Sequence, residues 1–423
     1  MLRRMLHTPL HRLLGENPGP ITDQMINDAV AQGIPEGDQL DWKRGLPPEK
    51  DFRDSHVKDI AAFANADGGI MVFGVTDTGA KASGRHDAGE LTEGYERTIR
   101  QVCMAAITPP VFGVEAIAIP SATGGPRAVA LVIPASTDGP HLIFRDDRFG
   151  APLRTGADTI WMKEPQIESA YRARFDGARR NERALQQIYE DMTAAVNPTA
   201  AAVLVGAARP RRPLHHVGRR DTATPIVDRA TLLARWWLSG LDKYGPLEHV
   251  EIYHERPALG GLYMPARAGG DAREAHAVVY DDGSVGLAWR AGGHPHEKTN
   301  EPYAAHAIPT LAVEAFAASL LALVHAVAED AHSGDYEVVL GVEVAGSTGR
   351  TPEFHIRNAA PPSGVHRPLH PRFRPVRIIA DPATNDHDFI QAPIDLATLA
   401  LNQVGIKQPT ILDRSLPPRR RYS

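Results

Sequence analysis

The stretch at residues 60–79 constrains this chain more than any other. Val57, Ile60, Ala61 and Ala64 recur at helical spacing. Gly68 and Gly69 then supply the backbone freedom needed to stop a helix and turn the chain. Ile70-Met71-Val72-Phe73-Gly74-Val75 follows as a continuous apolar run of the length of a buried strand, with Asp77 at its end. A helix, a double-glycine turn and a buried strand in direct succession require a helix packed on a sheet. They also put a carboxylate where a central strand is expected to emerge.

The residues around this stretch extend the same pattern. A helix is expected at residues 20–31, capped by Thr22 or Asp23 and ended by Gly33. In the short strand at 39–43, Leu40 and Trp42 alternate with Asp41 and Lys43, so one face packs and the other presents a carboxylate and an ammonium together. The helix leading to Gly68 is expected to begin at Asp54 or Ser55. A helix at 91–106, an antiparallel pair at 111–119 and 127–134, a short run at 141–144, a glycine turn within 153–162 and a long helix at 164–192 complete an α+β unit.

Composition changes at 193–222, where Pro198, Pro210 and Pro213 occur with Arg209, Arg211, Arg212, Arg219 and Arg220 around His215-His216. The expectation is a basic linker there. Beyond it, a helix at 228–241, strands at 250–254, 277–280, 284–289 and 336–344, and an alanine-rich helix at 311–328 make a second α+β domain. Asp281-Asp282-Gly283 is a hairpin signal between two of those strands. The division expected is therefore 1–19 as an extension, 20–192 and 223–423 as domains, and 193–222 as linker. A chain of 423 residues supports that count.

A formal net charge of −5 leaves no global field to attract nucleic acid, so such a partner must be met by local basic patches. The single cysteine, Cys103, excludes an intrachain disulfide and favours a reducing compartment; its apolar helical setting points to a buried thiol. The basic, apolar start is interrupted by His7, Pro9 and His11 before it reaches the length of a signal sequence, and no window approaches the roughly 20 apolar residues of a membrane span. A cytoplasmic protein without a membrane partner is expected.

Glu36 through Lys43, residues 60–79, Thr108-Pro109-Pro110 and residues 153–162 occur in an order and spacing that resembles the Schlafen AlbA-type domain. That family has a glutamate ahead of a Glu-Phe-Lys-like strand, a helix ending Ala-Phe-Ala-Asn before a double glycine, and a strand ending Gly-Val-x-Asp. An arginine and a glycine precede its last strand, as Arg154-Thr155-Gly156 do here. The resemblance spans residues 20–175 and implies a mixed sheet with flanking helices. It does not extend to the second half of the chain.

In nuclease members of the family, three acidic residues are similar to Glu36, Asp41 and Asp77, although Asp41 stands where glutamate is more usual. The resemblance implies that these three hold Mg²⁺ or Mn²⁺, which activates water and stabilises charge on a phosphodiester, with Lys43 assisting. It implies an endonuclease acting on RNA, tRNA included, in bacterial defence or stress. Other members bind DNA or RNA without cleavage, so a binding or regulatory module, or an interaction subunit of a larger complex, stands beside the nuclease reading. A homo-oligomer is compatible with either.

Arg154 next to Gly156 could grip a phosphate, and Arg172, Arg174, Arg179 and Arg180 could present a basic stripe to a backbone. The alternatives are a surface arginine and a solvated helix face. Asn65 is read as holding the end of its helix. No nucleotide cofactor is expected: Gly292 to Thr299 ends like a phosphate-binding loop, but Glu297 replaces the glycine before the lysine and Pro295 removes a donor. The histidine pairs 215/216, 294/296 and 366/370 lack the further ligands of a zinc site. Trp236, Trp237, Tyr253, Tyr263, Tyr280 and Trp289 are read as core before stacking surfaces.

Overall fold

The apolar run after Gly69 pairs as a central strand only as far as Phe73. The computed structural model describes residues 8–17, 19–121, 124–145, 148–196, 200–211, 220–238, 245–268, 274–293, 304–331, 335–344, 353–355, 365–370, 372–382 and 389–412. The chain divides into two units, Met1–Arg179 and Arg180–Ser423.

The first unit carries helices α1 (Pro9–Leu14), α2 (Asp23–Ala31), α3 (Phe52–Asn65) and α4 (Glu93–Ala105). Its strands are β1 (Leu40–Lys43), β2 (Gly69–Phe73), β3 (Val75–Asp77), β4 (Ala82–Arg85), β5 (Ile107–Thr108), β6 (Glu115–Ile119), β7 (Ala128–Ile133), β8 (Leu142–Arg145), β9 (Arg148–Gly150), β10 (Pro152–Thr155) and β11 (Asp158–Trp161). The main sheet runs β1-β2-β7-β6, with β1 parallel to β2 and the other pairs antiparallel. In register, Asp41 faces Met71 and Lys43 faces Phe73 across the ladder.

Period-two alternation assigns the two faces of this sheet. Leu40, Trp42, Ile70 and Val72 pack with Leu10, Met25 and Ile26 of α1 and α2. Met71, Phe73, Val129 and Leu131 pack with Ile60 and Phe63 of α3 and Val102 of α4. Asp41 and Lys43 therefore share the α3 face, although β1 is an edge strand. Thr22 caps α2 by accepting from the Met25 N–H at 3.3 Å, as its sequence indicates.

The expectation of one strand reaching Asp77 is corrected at Gly74. Its φ of +106° turns the chain out of the sheet, and a Cβ there would stand 2.7 Å from the Arg127 carbonyl oxygen. Val75–Asp77 instead pairs antiparallel with β4 in a separate two-stranded ribbon. Gly74→Ala should accordingly cost about 2 kcal/mol or more in urea denaturation, from positive φ and the clash together. Gly79→Ala is the control: its φ is +60° but nothing lies within 4 Å of the added carbon, so about 1 kcal/mol is expected. Equal losses at the two sites would show that φ alone matters.

The second unit begins within α5 (Glu164–Ala195) and contains α6 (Thr224–Trp237), α7 (Thr310–Ala331) and α8 (Gln391–Asn402). Its strands are β12 (Val203–Pro210), β13 (Arg256–Ala258), β14 (Gly261–Met264), β15 (Ala275–Tyr280), β16 (Val285–Arg290), β17 (Ala307–Pro309), β18 (Tyr336–Glu343), β19 (Glu353–His355), β20 (Val365–His366) and β21 (Val376–Ala380). An antiparallel seven-stranded sheet has the order β13-β14-β15-β16-β12-β18-β21. Leu204, Leu287 and Leu340 on one face pack with α6, α7 and α8; Val203, Val205 and Val339 on the other pack with Leu185, Ile188 and Met192 of α5.

Two expectations for this half are corrected. The supposed linker contains β12, which pairs with β16 and β18 and is buried over most of its length. Its apolar run at 201–208 outweighs the flanking prolines and arginines; His215 and His216 lie outside the described residues. The strand expected at 250–254 is a 3₁₀ turn, Ile252–His254, preceded by an isolated bridge at Val250.

By length and composition, one helix among the described residues could cross a membrane, over Thr310–Glu329, contrary to the expectation that no window approaches a span. All of that window is buried inside the second unit. Its all-round apolarity is that of a core helix enclosed by sheet and helices. Trp237 and Trp289 are core as expected, whereas Tyr253 is 77% exposed.

Candidate functional site

Alternation on β1 brings Asp41 and Lys43 to the face covered by α3, where they meet charges from three other segments. Arg154 on β10 donates from Nη2 to Asp41 Oδ1 at 2.9 Å. Lys43 Nζ lies 2.7 Å from Asp41 Oδ2. Arg154 also donates to the backbone carbonyls of Gly37 and Leu40, at 3.3 and 3.4 Å, and its guanidinium lies 5.0 Å from the Phe63 ring centroid. Both partners of the Arg154–Asp41 pair have side chains only 3% exposed.

Two residues join this cluster that the strand motifs alone do not reveal. Asp59 lies 3.9 Å from Lys43 and 3.7 Å from His56 Nδ1. His56, Asp59 and Phe63 fall three and four residues apart on α3, so one helical face carries all of them toward β1. Their spacing with the apolar Phe63 on one helical face is the sequence signal for them. Glu36 enters from the preceding loop, where its carboxylate accepts the Trp42 N–H at 2.9 Å.

The electrostatics follow from partial burial among opposite charges. Burial pushes the Glu36 carboxyl above its ordinary value, the Trp42 N–H works against that, and Asp41 adds to it. Burial acts to lower the Lys43 pKa, but Asp41, then Asp59 and Glu36, raise it overall. Burial likewise opposes ionisation of Asp59, which the neighbouring His56 imidazole and the charges of Lys43 and Arg154 nonetheless hold below the usual carboxylate range. A cavity of about 520 Å³ adjoins Glu36, lined also by Arg12, Leu13, Asp38, Gln39 and Asp67.

The structure thus brings together Glu36, Asp41, Lys43 and Arg154 of the residues singled out from sequence. It does not assemble the metal set. Asp77 lies on the β3–β4 ribbon beyond Gly74, and among the described residues no group of three His, Cys, Asp or Glu side chains is placed to hold a metal ion. The oxygens of Asp41 face a guanidinium and an ammonium. This donor set does not fit Mg²⁺ or Mn²⁺ through Glu36, Asp41 and Asp77.

The phosphate grip expected of Arg154 and Gly156 is also corrected. Arg154 is buried in its pair with Asp41, and the Gly156 N–H donates to Asp38 Oδ1 at 2.5 Å. Asn65 has a structural role, as expected, but through longer reach than the adjacent turn. It donates to the carbonyls of His141 and Pro152, at 2.9 and 2.8 Å, and accepts the His141 N–H at 2.6 Å. On α5, Arg172, Arg179 and Arg180 are exposed and Arg174 is half-buried; Arg172 lies 2.5 Å from Glu168. Cys103 is buried, which pushes its thiol up to about 12.

A four-stranded mixed sheet flanked by helices, with an edge-strand carboxylate locked to an arginine from a later hairpin, defines an α+β domain organised around a buried ion pair. Residues 36–163 match the family model described as Schlafen, AlbA_2, and form a Schlafen AlbA-type domain. No curated protein matches the chain.

Among solved structures, one similar chain is the N-terminal domain of a putative ATP-dependent DNA helicase RecG-related protein from Nitrosomonas europaea. It is 19% identical with a TM-score of 0.25, covering 32% of this chain and 89% of that one. Another is the DIP2311 protein from Corynebacterium diphtheriae, 17% identical with a TM-score of 0.24, covering 50% of this chain and 38% of that one. The match therefore spans well under half the length of the latter protein.

Proposed function

We propose that the Schlafen AlbA-type domain binds nucleic acid, and that its acidic–basic cluster positions the binding surface and does not cleave through a three-carboxylate metal centre. The observation that carries this reading is the Arg154–Asp41 pair. Its guanidinium takes the direct contact that a metal ion would need on Asp41, and Gly74 carries Asp77 into another ribbon. The cluster links the β10–β11 hairpin, the β1 edge and α3, so it fixes three segments relative to one another. Exposed Arg172 and Arg179 on α5 supply cationic groups for phosphate contact within the first unit.

The test is a panel of tRNA, unstructured RNA, single-stranded DNA and duplex DNA, incubated with the full chain in Mg²⁺ or Mn²⁺. Binding that weakens with salt, with all substrates intact, is the expected result. Arg172→Ala/Arg179→Ala should lower the salt slope by up to about two, as two phosphate contacts are lost. Cleavage that Asp77→Ala abolishes would overturn this reading in favour of a metal-dependent nuclease. Retention of every probe at the level of buffer alone would refute nucleic-acid binding altogether.

A further inference from the structure

The first unit presents two phenyl rings to solvent on one short hairpin. Phe144 on β8 is 64% exposed and Phe149 on β9 is 68% exposed, and the two residues are direct partners in the antiparallel register. Their neighbours in the ladder, Ile143 and Gly150, also pair, and Ile143 is 1% exposed. Alternation therefore anchors the hairpin by its inner face while its outer face carries the aromatic pair. Trp161 lies against Gly150, where an added Cβ would stand 3.1 Å from the indole, so the anchored face is tightly packed.

Directly opposed residues on adjacent strands have Cβ atoms about 5 Å apart. Two phenyl groups so placed offer adjoining apolar surfaces of the size of a base. The next pair in register toward the turn is Arg145 and Arg148. Asp146 and Asp147, between them in the sequence, lie outside the described residues.

We infer that the Phe144–Phe149 hairpin is a stacking platform for unpaired nucleobases. The assignment rests on the nucleic-acid-binding reading given above and specifies the class of ligand: single-stranded RNA or DNA. Size separates it from a protein-docking face. At the stated exposures, the two side chains offer on the order of 250 Å², against about 800 Å² per partner in a stable protein interface. Aromatic pairs on adjacent strands are well suited to bases because every base has a π-face that can stack without sequence preference. Stacking on neutral rings displaces no counterions, so its contribution is independent of counterion release.

The experiment is fluorescence anisotropy with end-labelled oligouridine and oligothymidine and with a duplex of equal length. It compares the full chain with Phe144→Leu/Phe149→Leu, which keeps apolar bulk and removes the rings. Single-strand affinity should fall by about tenfold or more, while duplex affinity changes by less than about twofold. The loss should be the same at about 50 and 200 mM salt. Unchanged circular dichroism, together with unchanged hydrogen exchange at residues 142–150, would exclude unfolding of the hairpin. Equal single-strand affinities for the two proteins would overturn the platform while leaving nucleic-acid binding intact. A loss equal for single-strand and duplex probes would overturn it as well. Absence of binding by the unsubstituted chain to every probe would instead refute the underlying reading, and the platform with it.

Discussion

Arg154→Ala is expected to destabilise the first unit by about 3–5 kcal/mol, the usual cost of leaving one member of a buried ion pair without its partner. The Asp41 side chain is 3% exposed, so water cannot replace the lost guanidinium. Lys43 remains, but its contact reaches only Oδ2, and the carbonyls of Gly37 and Leu40 lose a donor as well. Arg154→Lys should fall between, because one ammonium cannot reproduce contacts made from both Nε and Nη2. Asp41→Leu/Arg154→Met should lose less than the sum of its single substitutions, since it removes both buried charges together. Urea denaturation combined with hydrogen exchange at residues 39–43 and 152–161 reads this locally. A loss below about 1 kcal/mol for Arg154→Ala would show that the pair behaves as a screened surface bridge.

Glu314→Ala should produce a loss of similar size in the second unit, through a different device. Glu314 sits on α7 with no exposure, yet its carboxylate is well supplied with donors. The Thr410 N–H lies 2.9 Å from both oxygens, and the Thr410 hydroxyl donates at 3.1 Å. The N–H groups of Ile411 and Leu412 donate at 2.7 and 3.2 Å. A run of backbone amides converging on one carboxylate ties the segment after α8 to the core helix. Hydrogen bonds to a charged acceptor are worth about 1.5–3 kcal/mol each, with unmet donors costing further. Removal should therefore cost about 3 kcal/mol or more and raise hydrogen exchange at Thr410–Leu412 before the rest of the unit. Glu314→Gln should also lose stability, because its NH₂ would face amide donors. Exchange at 410–412 equal to that of the unsubstituted chain would refute the latch.

Much of the first unit is legible from residues alone. Thr22 and the double glycine mark helix ends, and alternation in Leu40-Asp41-Trp42-Lys43 assigns the two faces of β1 from four residues. The family pattern is carried by these same short signals, each local in the chain. Helical spacing also holds the information for His56 and Asp59, but it becomes readable only through the packing of α3 on the face of β1 that bears Asp41. The second half is less legible. Prolines and arginines around 193–222 conceal β12, whose place at the centre of a sheet is set by pairing with strands far along the chain. Residues 310–329 have the composition of a membrane span, and only their enclosure identifies a core helix.

The helix, glycine turn and buried strand at residues 60–79 were determined by sequence, because spacing, caps and steric freedom act over a few residues. Whether Asp77 joined Glu36 and Asp41 was decided by tertiary structure. The turn at Gly74 packs against the Arg127 carbonyl, just ahead of β7, and the fate of Asp41 depends on an arginine more than a hundred residues later. Local signals fix which element forms; the partners that neutralise or expose a charge are chosen by long-range packing.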